Sequence, residues 1–414
     1  MSKIALVDCD SFFVSCEQAE NPALCGRAVC VVSGSNGCVV SRSREAKTVG
    51  VKMGQPCFMA KEEFPNVCYL NGRNGLYKQY SQKVMACLKN FTPDVEVCSI
   101  DEAYLNMHGL DRLYHQDFMQ LAKTIRQKVW QDCRIPVSIG VSSSKLLAKL
   151  ASDKAKSSGG VYIINQTDLS QVLQETQLED VCGFGRQHTA KMKMSGIFNC
   201  AEFVAQSDSW VRKNLGIVGL DLKYELLGHL VNKIKTEQSL PKSIQSTSAL
   251  SKFTSDMAVL RASLKYHVHS ASQKLRAEDC YCQTVGIMLR TKDFQIYTNS
   301  VKLTQPTNGE QELFAAAQGL LPKIYNPEIL YRSSGVTLEH LLSSKDFQPN
   351  LFAQPEYKDD KVSRVLDELE KKFGKDIVKN GLLPLLAVFI EPIKVLFLNN
   401  AITRFLKVSP LVGL

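Results

Sequence analysis

Two short acidic stretches are the places in this chain where residue type and spacing could do chemistry. Val7-Asp8-Cys9-Asp10 closes an apolar run at the start of the sequence, and Ser99-Ile100-Asp101-Glu102 closes another β-rich run. Carboxylates at two strand ends, brought together by pairing of those strands, make a hard-oxygen site suited to Mg²⁺. Two such ions about 4 Å apart activate an attacking hydroxyl and stabilise a leaving phosphate. Successive residues of a regular strand point to opposite faces, so Asp101 and Glu102 serve one site only where the chain turns or bulges. Taken alone, such acids read more readily as solvated strand ends, and spacing by itself is weak evidence of a metal site.

Their company narrows the reading. Ser11-Phe12-Phe13 follows directly, with Phe12 suited to a core and Phe13 free to lie against a sugar ring. Ser41-Arg42-Ser43-Arg44-Glu45-Ala46-Lys47 gathers hydroxyls and cations at a helix start, a natural seat for phosphate oxygens. Lys145, Lys149 and Lys156 precede the Gly159-Gly160 turn. On a basic helix face, Lys145 and Lys149 default to solvation.

The elements that must position these residues alternate along the first 165 positions. Strands are expected at Ile4–Val7, Arg27–Ser33, Cys38–Ser41, Val95–Ile100, Pro136–Val141 and Val161–Ile164. Helices are expected from Ser11 to before Pro22, at Leu76–Phe91, at Phe118–Cys133 and at Leu146–Lys156. From Thr167 to Leu230 the pattern turns helical, and Lys233–Ser243 reads as a linker. Ile244–Leu341 is again mixed, with a helix around Val259–Arg276 and a strand at Thr284–Arg290. An amphipathic helix at Asp360–Lys379 presents Val362, Leu366, Leu369 and Phe373 on one face.

The chain has 414 residues, 44% of them hydrophobic and 22% charged, which excludes bulk disorder and fibrous architectures. The net charge of +9 leans toward a polyanionic partner, and eleven basic against five acidic residues fall between Lys233 and Lys302. The 14 cysteines include no CxxC pair and several, such as Cys30 and Cys98, sit in apolar runs, which fits small hydrophobes in a reducing cytosol and argues against zinc. Met1-Ser2-Lys3 leads straight into the first strand without a secretory signal. Leu382–Leu398 is apolar but carries Pro384, Glu391, Pro392 and Lys394. Its uncharged stretch falls short of the roughly 20 residues of a membrane helix, so a packed or partner-binding tail is expected.

Taken together and in order, these blocks resemble the signature motifs of Y-family DNA polymerases. The resemblance rests on Val7 to Phe13, on Ser99-Ile100-Asp101-Glu102-Ala103-Tyr104-Leu105 and on Ser138-Ile139-Gly140-Val141. Gly37 to Lys47, Gly50-Val51-Lys52-Met53-Gly54 and Leu178 to Gly185 are similar to the UmuC branch, and the likeness runs to about residue 352. It implies an α+β multidomain right hand. The palm, ferredoxin-like, would span 1–10 and 73–165, small fingers 11–72, and a helical helix-hairpin-helix thumb 166–232. A linker at 233–243, an α/β little finger at 244–341 and a C-terminal tail at 342–414 would follow.

The resemblance also implies roles. Asp8, Asp101 and Glu102, with the Cys9 carbonyl, would hold two Mg²⁺ ions. Phe13 would be the steric gate, and Phe12, Ser41, Arg44, Lys47 and Lys156 would contact the dNTP. Arg44 stands where the family often has Tyr or a small residue, and Cys182 where UmuC-type chains often have Trp. Gly183 and Gly185 would let backbone N–H groups approach DNA phosphates. Gln348-Pro349-Asn350-Leu351-Phe352 resembles a sliding-clamp peptide anchored by Gln348, Leu351 and Phe352. Gln311-Glu312-Leu313-Phe314 is one residue short and is rejected. The implied activity is low-fidelity translesion synthesis in the SOS response, in the cytoplasm, on primer–template DNA, with a UmuD-like subunit or RecA as further partners and no membrane. The alternatives are a non-catalytic DNA- and clamp-binding accessory protein and another palm-type nucleotidyl transferase or cyclase.

Overall fold

The computed structural model describes residues 3–34, 37–236, 240–348 and 358–373, which fall into two compact units divided at residues 238 and 239. The first unit opens β1 (Ile4–Cys9), α1 (Phe12–Glu20), β2 (Val29–Val32), β3 (Val39–Arg42), α2 (Arg44–Val49), α3 (Cys57–Glu63) and β4 (Cys68–Asn71). It continues α4 (Asn74–Lys89), β5 (Val95–Val97), β6 (Glu102–Asn106), α5 (Leu110–Leu113), α6 (Phe118–Cys133), β7 (Val137–Ser142), α7 (Lys145–Ala155) and β8 (Val161–Ile163). The helices α8 (Leu169–Glu175), α9 (Arg186–Met194), α10 (Cys200–Val204) and α11 (Asp208–Leu226) complete it.

Its main sheet has the order β5-β6-β1-β7-β8. β1 is central and antiparallel to both neighbours, and its alternation divides the two faces. Ala5, Val7 and Cys9 enter a core with Tyr77, Val84 and Leu88 of α4 and Leu121, Ile125 and Val129 of α6. Phe12, Val14 and Cys16 of α1 join that same core. Ile4 and Leu6 turn the other way, onto Ala148 of α7. Each fully buried side chain of this kind contributes roughly 1.5–3 kcal/mol. α7 lies unusually close to the sheet. A Cβ at Gly140 of β7 would fall 2.0 Å from the Ser152 nitrogen and 2.3 Å from the Ala148 carbonyl oxygen. A small second sheet, β3-β2-β4, has its own core around Cys30, Val32, Val39, Cys57 and Ala60. Leu147 and Leu150 of α7 pack with Leu173, Phe184, Phe203 and Leu226 of the helical segment.

The second unit holds β9 (Ser243–Thr254), α12 (Met257–Ala277), β10 (Cys280–Thr291), β11 (Ile296–Thr307), α13 (Glu310–Ile324), β12 (Tyr331–Ser343) and α14 (Lys358–Phe373). Its sheet has the order β11-β10-β12-β9. Val285, Ile287 and Leu289 pack with Leu260, Leu264 and Val268 of α12 and Leu313, Ala317 and Leu321 of α13.

Most expected elements are present, with boundaries shifted by a few residues. One shift matters: the strand expected over Val95–Ile100 ends at Val97, and Ile100 is exposed in a turn. Asp101 therefore lies in the link between two strands, and Glu102 opens the second of them. The helix expected over Asp360–Lys379 is seen at Lys358–Phe373, and the apolar stretch after it lies outside the described residues. All 14 cysteines are free.

Candidate active site

Register brings the acids together. Asp8 of β1 pairs with Glu102 of β6 on one side and with Ser138 of β7 on the other. Directly opposed residues on antiparallel strands hold their Cβ atoms about 5 Å apart, and like charges so placed repel. The chain makes the turn that the acidic pair required. Cys98 N–H and Ser99 N–H both donate to the Glu102 carbonyl, at 3.0 and 3.3 Å. Ser99 Oγ accepts from the N–H groups of Asp101 and Glu102, and the Cys9 N–H donates to the Asp101 carbonyl at 2.9 Å.

Two lysines of the α7 segment meet these carboxylates. Lys149 Nζ lies 2.5 Å from Glu102 Oε2 and 3.2 Å from Asp8 Oδ2, while Lys156 Nζ is 3.3 Å from the same Asp8 oxygen and 3.0 Å from Asp153. Burial alone would lower the Lys149 pKa; the Glu102 hydrogen bond and the charges of Asp8 and Glu102 outweigh it and raise it. Lys156 follows the same pattern, raised chiefly by Asp8 against burial. Both ammoniums stay charged. Burial pushes Asp10 up, opposed by the Ser138 hydroxyl that donates to it at 2.8 Å.

The donor set fits a divalent cation. Asp8 and Glu102 already converge on a positive charge, the Lys149 ammonium, and every side-chain donor is a hard oxygen. Asp101 is held aside, its Oδ1 accepting from Ser99 Oγ at 2.5 Å. Accordingly, no three His, Cys, Asp or Glu side chains are gathered at metal spacing among the described residues. Cys9 offers only its backbone, because its thiol is buried in the core and pushed well up by that burial and by Asp101 and Asp8.

The remaining expected residues spread around this centre. Ser11 adopts a left-handed turn (φ 48°) that starts α1 and sends Phe12 and Phe13 in different directions. Phe12 is buried in the core, whereas Phe13 is half-buried and stacked on Tyr77, with centroids 4.5 Å apart. Lys47 Nζ donates to Ser11 Oγ at 3.0 Å, and Lys47 is lowered by burial and by Arg42. Ser41 is buried, donating to the Ser11 carbonyl at 3.1 Å, so it shapes the turn. Arg44 is exposed at the start of α2. Gly183 needs its left-handed backbone (φ 105°), and Gly185 caps the N-terminus of α9. Cys182 is exposed. Of the clamp-like peptide, Gln348 is described, while Leu351 and Phe352 lie outside the described residues.

Sequence reasoning missed several partners. Lys149 and Lys145 are not merely solvated: Lys145 Nζ lies 2.5 Å from Glu96. Ser99, Ser138 and Tyr77 also escaped it. The available signal was Gly140, which permits α7 to sit close enough for its lysines to reach β1.

Comparison with known proteins decides the family. The impB/mucB/samB family model matches residues 7–153, and the model of that family's C-terminal domain matches residues 241–351. Protein UmuC of Salmonella typhimurium is 32% identical over 90% of this chain and 91% of its own length. The chain belongs to the impB/mucB/samB family. It is a DNA polymerase of the Y family, on the UmuC-like branch, and its class is translesion synthesis in the DNA-damage response. DNA polymerase IV 1 of Bacillus subtilis is 29% identical over 91% of both chains. A Dbh–Dpo4–Dbh Y-family chimera superimposes with a TM-score of 0.71 at 24% identity, covering 82% of this chain and 99% of that one. The insertion ternary complex of Dbh DNA polymerase gives 0.58 over the same shares. The fold is the expected right-hand polymerase fold. Such enzymes are nucleotidyltransferases that generally use divalent metals, and they act on primer–template DNA with nucleotides. Among the described residues, no helix is long and apolar enough to cross a membrane.

Proposed function

We propose that nucleotide addition occurs at the mouth of β1, β6 and β7, where Asp8, Asp101, Glu102 and the Cys9 carbonyl hold two Mg²⁺ ions. When bound, these ions supply activation of the primer 3′-hydroxyl and charge stabilisation at the dNTP phosphates. The chain's own residues prepare that step. Lys149 offsets the repulsion between Asp8 and Glu102, the two acids that would hold the metal. Lys156 and Lys47 set positive charge beside the acids, where the triphosphate gathers negative charge. Arg44 adds an exposed guanidinium able to grip phosphate in a fork. Ser41 and the backbone at Phe12 shape the turn on which the nucleotide rests, and Phe13 closes the space a ribose 2′-hydroxyl would need.

The domain assignment follows: palm at 1–10 and 73–165, fingers at 11–72, thumb at 166–232, little finger at 244–341. Gly183 and Gly185 bring backbone N–H groups to DNA phosphates, and the little finger contacts phosphates without reading sequence, in a salt-sensitive way. Gln348, Leu351 and Phe352 bind the sliding clamp. The setting is the cytoplasm and the SOS response, with a UmuD-like subunit or RecA as activating partners.

The observation that carries this reading is the pairing of Asp8 with Glu102 across β1 and β6, both meeting one ammonium. Primer extension on plain and abasic templates, with Mg²⁺ and either dNTPs or rNTPs, tests it. Wild type extends both templates, Asp101→Ala extends neither, and Phe13→Ala gains use of rNTPs. Extension that survives in Asp101→Ala overturns the metal site. DNA binding without extension by the wild type, even with clamp present, favours the accessory-protein alternative.

A further inference from the structure

Phe13 does not stand alone. It occupies the first turn of α1, and Glu17 lies one turn further along the same helix face. Across from them, Arg73 caps α4 and Tyr77 lies one turn into it. The Tyr77 ring supports the Phe13 ring, tilted 23° from parallel, and its hydroxyl donates to Glu17 Oε1 at 2.7 Å. Arg73 Nε donates to the same Glu17 oxygen at 3.0 Å, and a second Arg73 nitrogen meets Glu17 Oε2. Tyr77 and Glu17 are 1% and 4% exposed. The four side chains thus form a closed clasp between two helices, in which ring stacking and a buried carboxylate fix one another.

A clasp of this kind has a use that core packing alone does not require. A steric gate discriminates only as strongly as its ring resists displacement. An unsupported phenylalanine can swing off its rotamer for about 1 kcal/mol, which would limit exclusion of a competing sugar to roughly fivefold. Tyr77 blocks that swing from behind, and Tyr77 is itself pinned at its far end by Glu17. A buried carboxylate is a costly anchor unless its lone pairs are met, and Arg73 and Tyr77 meet them.

We propose that Glu17, Arg73 and Tyr77 are positioning residues that set how strictly this polymerase rejects ribonucleotides, by holding Phe13 rigid. This rests on the assignment of Phe13 as the gate. The tests are the ratio of kcat/KM for a dNTP to that for the matching rNTP, measured for single variants and for the same changes in a Phe13→Ala background. Tyr77→Phe keeps the ring and removes only the pin, and lowers the ratio by about fivefold, the equivalent of about 1 kcal/mol. Glu17→Gln, which loses the charge that holds Arg73, lowers it by about tenfold. The change arises mainly from a gain in rNTP use. In the Phe13→Ala background neither substitution alters the ratio further, because the ring they hold is gone.

Equal losses for dNTP and rNTP, with the ratio unchanged, would show a merely structural clasp and overturn the proposal. Full effects persisting in Phe13→Ala would overturn it too. If Phe13→Ala itself leaves the ratio at the wild-type value, the gate assignment fails, a result distinct from failure of the clasp. Should Glu17→Gln fold poorly, Tyr77→Phe decides the matter alone, since it leaves the carboxylate and its ion pair in place.

Discussion

The cluster around Lys149 and the cluster around His269 are built from the same materials and are finished differently. In each, a helix packed across a sheet sends cations to acids carried by other elements. In the second unit, Glu310 receives Lys265 at 2.9 Å and His269 at 2.6 Å, and the other His269 nitrogen meets Glu370 at 3.3 Å. Gln273 donates to Glu370, and Arg276 forks onto Asp367 at 2.6 and 2.9 Å, fastening α14 to α12. The side chains of Lys265, Arg276 and Glu370 are 5%, 7% and 7% exposed. At the strand ends of the first unit the corresponding figures for Lys149, Glu102 and Lys156 are 24%, 26% and 43%. Two ammoniums share one Asp8 oxygen there, and Asp101 is parked on Ser99. A saturated network whose cations are buried holds a fold together. An unsaturated one open to water can exchange its cation.

The contrast can be broken by substitutions that ought to separate activity from stability. The largest effect expected is from Asp101→Ala, which lowers primer extension by about 10²–10³-fold or more while the melting temperature stays near wild type. A large fall in stability instead would place Asp101 in the structural class. Next comes Arg276→Ala, which strips Asp367 and the Asn308 carbonyl of their partner and costs about 2–3 kcal/mol in urea unfolding of the second unit. Its kcat on a short primer stays at the wild-type value; a matching loss of kcat would erase the distinction.

Lys149→Gln sharpens the comparison further. Without its ammonium, Asp8 and Glu102 repel, and the protein melts earlier in EDTA by about 1 kcal/mol of stability, discounted for the partial exposure of the pair. Saturating Mn²⁺ restores the melt, and Mn²⁺ affinity read by electron paramagnetic resonance rises above wild type. Unchanged affinity would mean that Lys149 does not compete for the metal's place.

The smallest effect is in the pH dependence of the second unit. His269 is raised above the ordinary 6.5, first by its hydrogen bond to Glu310, against burial. Its contribution is therefore full below pH 6.5 and is lost as pH rises through the elevated value. His267, two residues earlier, is buried between the Ser246 and Ser248 hydroxyls and lowered to about 4 by that burial. Its contribution is full above pH 6.5 and lost as pH falls toward 4. Glu310, brought down to about 2 by His269 and Lys265 despite burial, loses its share between pH 4.5 and 2. Stability of His269→Gln should thus flatten on the alkaline side and, because Glu310 loses its His269 partner, below pH 4.5, while the fall between pH 6.5 and 4 set by His267 persists. Flattening of that middle fall would show that the two histidines are coupled.

What the sequence disclosed was whatever is local. Short apolar runs located β1 and β7, helical periodicity located α4 and α6, and acids at the ends of apolar runs located Asp8 and the Asp101–Glu102 pair. The turn at Ser99 was legible only as a requirement, because a serine that caps two N–H groups looks like any strand serine until the chain bends. The meeting of Lys149 with Asp8 spans 141 positions and depends on the height of α7 above the sheet. Tyr77 read as one more apolar position of α4, since its pairing with Phe13 arises only when two helices pack. Residues whose roles come from tertiary juxtaposition leave no periodic trace.

Gly140 shows how far such dependence reaches. It touches neither carboxylate nor ammonium, yet the hydrogen in place of a side chain fixes the gap between α7 and the sheet. A methyl group there would act as a shim, lifting the whole helix and carrying Lys149 away from both acids together. The centre's tolerance is thus set by an absence: its charges are gauged by the thinnest point of the wall behind them.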